Sequence, residues 1–344
     1  MAGSIQDTSG GIDAVATLSI TPVAGRIGAE VQGVALADLP RDGERARAIL
    51  PALHDALGRH KVLFFRGQSA FDDAAHQTFA RLWGMPVNHP TAPAQSGESL
   101  LELDSRHGGK ANIWHTDMTF LASYPSASIL RAVLIPPAGG DTMWANTVEA
   151  YARLPPPLRV LADTLWGIHS NDYDYAANQT EPDAGVDAYH AAFVSSVYEA
   201  EQPLVRVHPV TGERALVLGG FFSRFSGLGS TESRHLFDIF QAHVTRAENT
   251  VRWRWREGDV AVWDNRATQH YAIDDYGNQP RIVRRVTIAG DVPVSVDGRC
   301  ARQILPMATP DLRVAGDRFA QCVAGIGAGL PIPTSGPAPQ SGPS

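Results

Sequence analysis

The stretch Thr250–Asp264 restricts the fold of this chain more than any other. Val251, Trp253 and Trp255 alternate with Arg252, Arg254 and Arg256, and Glu257-Gly258 then turns the chain into Asp259-Val-Ala-Val-Trp263. Successive side chains of a strand point to opposite faces, so this alternation predicts β structure with one dry face and one wet face. The central turn makes the stretch read as a hairpin. The three arginines are read as its solvated face. Further short strands are expected at Ala127–Ile135, Leu204–Val207 and Arg214–Leu218, and a helix at Thr231–Arg246. The earlier part of the chain has a different period. Glu44–His60 places Ala46, Ile49, Leu50, Leu53 and Leu57 at helical spacing, and Phe71–Trp83 does the same with Ala75, Phe79 and Leu82. Between them Lys61-Val-Leu-Phe-Phe-Arg66 reads as a buried strand. Helices early and short strands later predict an α+β protein with an antiparallel barrel or jelly roll.

Composition sets the limits of this reading. The chain has 344 residues, 44% of them apolar, which is globular and ample for a core. A net charge of −7 leaves no electrostatic footprint for nucleic acid, despite the arginine stripe. No apolar run is long enough for a membrane span, and Met1–Gly11 lacks the blocks of a signal peptide, so a cytoplasmic protein is expected. Two cysteines, Cys300 and Cys322, are too few for a disulfide framework or a thiolate metal cluster, and both are expected to be reduced. Residues 1–14 and the Gly/Pro/Ser-rich 313–344 read as mobile tails around a single domain, 15–312. Within it, 172–202 is polar and without clear period, which suggests a lid loop.

The chemistry is carried by histidine and carboxylate. Of twelve histidines, only His115 begins a His-x-Asp triplet, His115-Thr116-Asp117. On an extended segment positions i and i+2 point the same way, so both side chains can grip one ion. Together they supply two-thirds of the 2-His-1-carboxylate triad that suits non-haem Fe(II) and leaves open positions for substrate and oxygen. Alone the triplet is weak evidence and reads more readily as a surface or capping pair. His270, after Trp263-Asp-Asn-Arg-Ala-Thr-Gln, would be the third ligand, brought in by a distant strand. Arg281 and Arg285 follow, and a guanidinium fork matches a dicarboxylate co-substrate. The apolar alternation of Ile282, Val286 and Ile288 supports a strand without revealing which arginines face inward.

With these residues the sequence resembles the Fe(II)- and 2-oxoglutarate-dependent dioxygenases of the taurine dioxygenase type over roughly residues 16–300. The resemblance rests on Trp-His-Thr-Asp at 114–117, Gly-Gly-Asp-Thr-Met-Trp at 139–144, Trp-Asp-Asn-Arg-Ala-Thr-Gln-His at 263–270, and the closing arginines. It implies a double-stranded β-helix (jelly roll) core with flanking helices and iron held by His115, Asp117 and His270. It also implies that 2-oxoglutarate chelates iron and directs its distal carboxylate to Thr142 and Arg281, with Arg285 near both co-substrate and substrate. Because Asp117 is present, hydroxylation is favoured over halogenation. A dimer or tetramer is implied as well.

The substrate pocket departs from the taurine pattern. His89-Pro90-Thr91-Ala92 keeps the family's histidine but has Ala where the taurine enzyme has Tyr, and Ala111 stands where that enzyme has Asn. The pocket should therefore be larger and more apolar, which turns the expectation away from taurine. Tyr124-Pro-Ser-Ala-Ser-Ile-Leu-Arg-Ala-Val133, His169-Ser-Asn-Asp-Tyr-Asp-Tyr175 and Ile288-Ala-Gly-Asp-Val-Pro-Val294 resemble the alkylsulfatase branch. That branch implies a small anionic sulfate ester as the partner of O2, with aldehyde and sulfate as products. His89 and Arg285 would hold the sulfate as cations against an anion, and Tyr173 could line the pocket. A sulfonate, an aryloxyalkanoate or a natural-product intermediate is the alternative substrate. A metal-binding jelly roll without turnover is the alternative of another class.

Overall fold

Eight strands of the main sheet give the chain two faces to bury, and the residues between and around them follow from that. The computed structural model describes residues 18–90, 99–106, 111–173 and 196–306, excluding the side chain of Tyr173. The sheet runs Ser19–Pro22, Ala29–Gln32, Val62–Phe65, Val260–Asp264, Ala127–Leu134, Ile282–Ile288, Pro86–Val87, with Leu100–Asp104 also paired to Ile282–Ile288. Facing it lies a three-stranded sheet ordered Thr250–Trp253, Thr142–Asn146, Thr268–Ala272. Sheet on sheet with helices outside is the expected jelly-roll core.

Strand alternation sorts the two faces. Leu63, Phe65, Val260, Val262, Val286 and Ile288 pack under the helices Gly43–His60 and Asp73–Trp83. Their neighbours Val62, Phe64, Ala261, Trp263 and Val283 turn to the inside, against Trp144, Val251, Trp253 and Trp255. Both helices begin where an aspartate caps them: Asp42 accepts from Arg45 N–H and Asp72 from Ala75 N–H. A four-stranded sheet, Phe222–Phe225, Trp166–Ser170, Glu199–Pro203 and Arg302–Leu305, carries the helix Ser230–Val244 beside it.

Thr250–Asp264 corrects the sequence reading in one respect. The alternation is present, with Val251, Trp253 and Trp255 buried and Arg252, Arg254 and Arg256 exposed. Its two halves, however, do not form a hairpin. Thr250–Trp253 pairs with Thr142–Asn146, whereas Val260–Asp264 pairs with Val62–Phe65 and Ala127–Leu134. The segment crosses from one sheet to the other because its indoles are large enough to fill the space between them, as in the stacked Phe64–Trp253 pair at 4.1 Å. Cys300 is disulfide-bonded, so the expectation of reduced thiols fails there. Among the described residues no helix is long and apolar enough to cross a membrane. The expected tails, and residues 174–195 of the expected lid, lie outside the described residues, while Glu199–Pro203 at the end of that stretch is a strand.

Candidate active site

Backbone pairing brings the two halves of the triad together. His115 N–H donates to His270 O at 3.0 Å and His270 N–H to His115 O at 2.8 Å, so the two rings meet with centroids 4.1 Å apart. One ligand atom from each of His115, Asp117 and His270 lies within 4.8 Å of the others, and all three residues are buried. The nitrogens concerned are Nε2, each 3.8 Å from Asp117 Oδ1. His115 Nδ1 lies 2.7 Å from Ile113 O, and a carbonyl can only accept, so Nδ1 carries the proton and Nε2 presents a lone pair.

Electrostatics prepares the same set for a cation. Burial holds the His115 imidazole below its ordinary value, and burial together with His115 holds His270 well below it, so both are neutral ligands. Burial alone would raise the Asp117 carboxyl. The Arg285 guanidinium, helped by the hydrogen bond from Ser128, outweighs it and keeps Asp117 far below the usual carboxylate range. Ser128 Oγ donates to Asp117 Oδ2 at 3.1 Å, which turns Oδ1 toward the histidines. Two neutral nitrogens and one carboxylate oxygen converging from one face fit Fe(II).

A second cluster lies on the inner face beside it. Thr142 and Arg281 are buried, with Arg281 Nη2 3.5 Å from Thr142 Oγ1 and Arg281 Nε donating to Gly140 O at 2.9 Å. Gly140 has φ +69°, and a Cβ there would stand 3.0 Å from Arg281 Cδ, so glycine makes room for the arginine. Trp255 Nε1 donates to Thr142 Oγ1 at 2.9 Å, leaving the threonine O–H to donate elsewhere. A buried guanidinium beside a hydroxyl donor fits a carboxylate such as the distal end of 2-oxoglutarate. Arg285 faces inward too. Its Nη1 donates to Asp117 Oδ1 at 2.6 Å, while its Nε is buried without a hydrogen-bond partner among the described residues. The intervening Arg284 points outward to Asp73 and Glu102.

His89 is placed against Phe120, at a ring-centroid distance of 6.2 Å. Phe120 in turn meets Phe221 at 5.0 Å, and Phe221 stands edge-on to His115 at 5.9 Å. With Met118 these form an apolar wall running from His89 to the triad. Burial first, and Arg285 second, push the His89 imidazole down to about 3. His89 is therefore neutral, not the expected cation, and what it can offer an anion is one N–H. The Tyr173 side chain lies outside the described residues.

Several residues that shape this site were missed in the sequence. Ser128, Trp255 and Asn265 all lie in quoted stretches but have no chemistry of their own to announce them. Gly219 and Gly220 pack so tightly behind the triad that a Cβ would come within 2.8 Å of Trp114 O and 2.9 Å of Ile113 Cγ2, respectively. The Gly-Gly pair at 219–220 was the available signal.

Comparison with known proteins finds relatives over most of the chain. The pattern of the taurine catabolism dioxygenase TauD, TfdA family matches residues 19–287. The chain is 58% identical over 287 residues to an alpha-ketoglutarate-dependent sulfate ester dioxygenase of Pseudomonas putida, covering 83% of this chain and 94% of that protein. It is 49% identical over 292 residues to an alkylsulfatase of Acinetobacter baylyi, covering 84% and 90%. Among solved structures, a taurine dioxygenase from Burkholderia xenovorans superposes with a TM-score of 0.68 at 36% identity, covering 83% of this chain and 96% of that one.

Proposed function

Because the chain belongs to the taurine catabolism dioxygenase TauD, TfdA family, we propose that it is an Fe(II)- and 2-oxoglutarate-dependent dioxygenase. Its substrate is an alkyl sulfate, oxidised at the carbon bearing the ester to give an aldehyde and sulfate, with succinate and carbon dioxide formed from 2-oxoglutarate. The observation that carries this reading is the convergence of His115, Asp117 and His270 within 4.8 Å in a buried site.

When bound, iron and 2-oxoglutarate supply the oxidative chemistry. The protein's part is to hold, orient and exclude. His115, Asp117 and His270 would hold the metal from one face, leaving the opposite face open. Arg281 would pair with the distal carboxylate of 2-oxoglutarate, and the Thr142 hydroxyl, fixed by Trp255, would donate to it. Arg285 and the neutral His89 would donate to the sulfate oxygens. The Met118, Phe120 and Phe221 wall would cover the alkyl carbon next to the ester and keep water away. Hydroxylation leaves one carbon carrying both a hydroxyl and the sulfate ester. The hydroxyl then loses its proton, the carbon–oxygen bond to sulfate breaks, and aldehyde and sulfate separate.

The likeness to the Pseudomonas putida and Acinetobacter baylyi proteins supports the sulfate ester as substrate class. So does Ala111, an apolar residue where the taurine enzyme carries Asn. We further propose a dimeric or tetrameric assembly, which sedimentation of the pure protein checks. The substrate test is a panel of alkyl sulfates of several chain lengths and of sulfonates including taurine, assayed for succinate with Fe(II), 2-oxoglutarate and oxygen. Medium-chain alkyl sulfates should be turned over far better than taurine, with neighbouring chain lengths separated by about 1–3 kcal/mol per methylene at most. Taurine as the better substrate, or no sulfate released from any ester, overturns the substrate assignment.

A further inference from the structure

We propose that Asn265 is a positioning residue for the metal centre, its carboxamide standing in for a missing length of strand that keeps Asp117 in register with His270. The inference rests on the reading of His115, Asp117 and His270 as a metal site.

At its first ligand the triad is held by main chain. His115 and His270 exchange both backbone hydrogen bonds, as a pair of antiparallel strands would. Continuing that register would set Asp117 opposite Thr268, but no such pair forms. Thr268 O instead accepts from Thr116 Oγ1 at 2.7 Å, while Thr268 Oγ1 donates back to Asp264 O at 2.8 Å. Just beyond Asp117 the chain turns away, with Met118 at φ +55°, a left-handed conformation unusual for a side chain of its kind.

Asn265 takes over where the ladder ends. Its Oδ1 accepts from Asp117 N–H at 3.0 Å and its Nδ2 donates to Asp117 O at 3.1 Å. A carboxamide carries the same donor and acceptor as a peptide unit, so this pair reproduces one rung of a β ladder. The second Nδ2 hydrogen goes to Pro125 O at 3.0 Å, and Asn265 N–H donates to Ser126 O at 2.9 Å. The side chain is fully buried, and both of its amide hydrogens are used. Asn265 sits in the turn between Val260–Asp264 and Thr268–Ala272, the strand that carries His270. One residue thus ties the segment bearing the carboxylate ligand to the strand bearing the third ligand, leaving the Asp117 side chain to Ser128 and Arg285.

A merely structural role for Asn265 would lower stability without altering metal affinity, and this separates the two cases. Mn(II) affinity is measured by calorimetry, and the metal-free melting temperature alongside it, in the full chain and in Asn265→Ala, Asn265→Asp and Asn146→Ala. Asn146 is a matched control: it is buried, donates to Arg26 O and caps Val148 and Glu149, and touches no ligand. Asn265→Asp keeps the volume and the acceptor for Asp117 N–H while losing both donors, so it serves if the alanine variant does not fold. The expected result is a Mn(II) Kd weakened about 10–100-fold in the Asn265 variants, against an unchanged Kd and a lowered melting temperature in Asn146→Ala. Wild-type Kd in a folded Asn265 variant, or an equal loss in Asn146→Ala, overturns the inference and leaves the site reading standing. Absence of Mn(II) binding by the wild-type chain overturns both.

Discussion

The main sheet has two buried faces that are built differently. Under the helices the contacts are aliphatic and aromatic hydrocarbon: Leu53, Leu57, Leu63, Phe79, Val262 and Ile288. Facing the second sheet, indoles and a phenyl ring interlock, with Trp144 against Trp263 at 5.8 Å and Phe64 against Trp253 at 4.1 Å. Against that stiff aromatic layer lie Asp117, Thr142, Arg281 and Arg285, all buried. Ile282–Ile288 serves both sides, sending Val286 and Ile288 to the helices and Arg285 inward with Val283. The difference shows how one sheet separates stability from chemistry. Hydrocarbon on one face supplies burial energy, while aromatic packing on the other fixes polar groups that would be costly to bury without partners.

If that division holds, damage on the two faces should have different consequences. The largest stability effect is expected on the helix face. Phe79→Ala should cost about 3–5 kcal/mol of unfolding free energy and leave Mn(II) affinity unchanged in the folded fraction, as urea titration and calorimetry would show. A comparable loss of metal affinity would mean that the faces are coupled. On the inner face Arg281→Ala should act on binding instead. Loss of a hydrogen-bonded charge pair should raise the KM for 2-oxoglutarate by about 10–100-fold, with a much smaller change for the sulfate ester. An unchanged 2-oxoglutarate KM would place the co-substrate elsewhere.

A further expected effect is a slope with pH. Burial holds His76, on the inward face of the helix Asp73–Trp83, and His169, in the four-stranded sheet, each down to about 3 from an ordinary 6.5. The unfolded chain therefore takes up these protons first as the pH falls, so the melting temperature should be highest above about 6.5 and decline toward 3. His76→Leu should make the decline shallower in that window. A slope identical to wild type would show that His76 is not held neutral by its surroundings.

Much of this division could be read from the sequence, and the misses share one physical cause. Helical spacing of Leu53 and Leu57 is local, so both early helices were legible. His115, Asp117 and His270 carry metal-binding chemistry in their side chains, so they too stood out. Partner choice is not local. The Thr250–Asp264 alternation revealed which side chains are dry but not that its halves pair with different strands. The direction of Arg281 and Arg285 was open for the same reason, since Ile282–Ile288 is buried on both sides and its apolar pattern has no wet face to orient it. Asn265 was invisible because its role is to replace a backbone pair that only the folded chain lacks. The charge expected of His89 was misjudged, because the burial that keeps it neutral, and the nearby Arg285 that adds to it, come only with the fold.

The central claim is that the inner face holds an oxidative centre rather than a hydrolytic one. Sulfate, aldehyde and succinate should be measured together from one medium-chain alkyl sulfate, with and without Fe(II), 2-oxoglutarate and oxygen, in the wild-type chain and in His270→Ala. The account predicts the three products in equal amounts, each dependent on all three additions and abolished in His270→Ala while the variant stays folded. Sulfate released without oxygen or 2-oxoglutarate, or undiminished in His270→Ala, would contradict it.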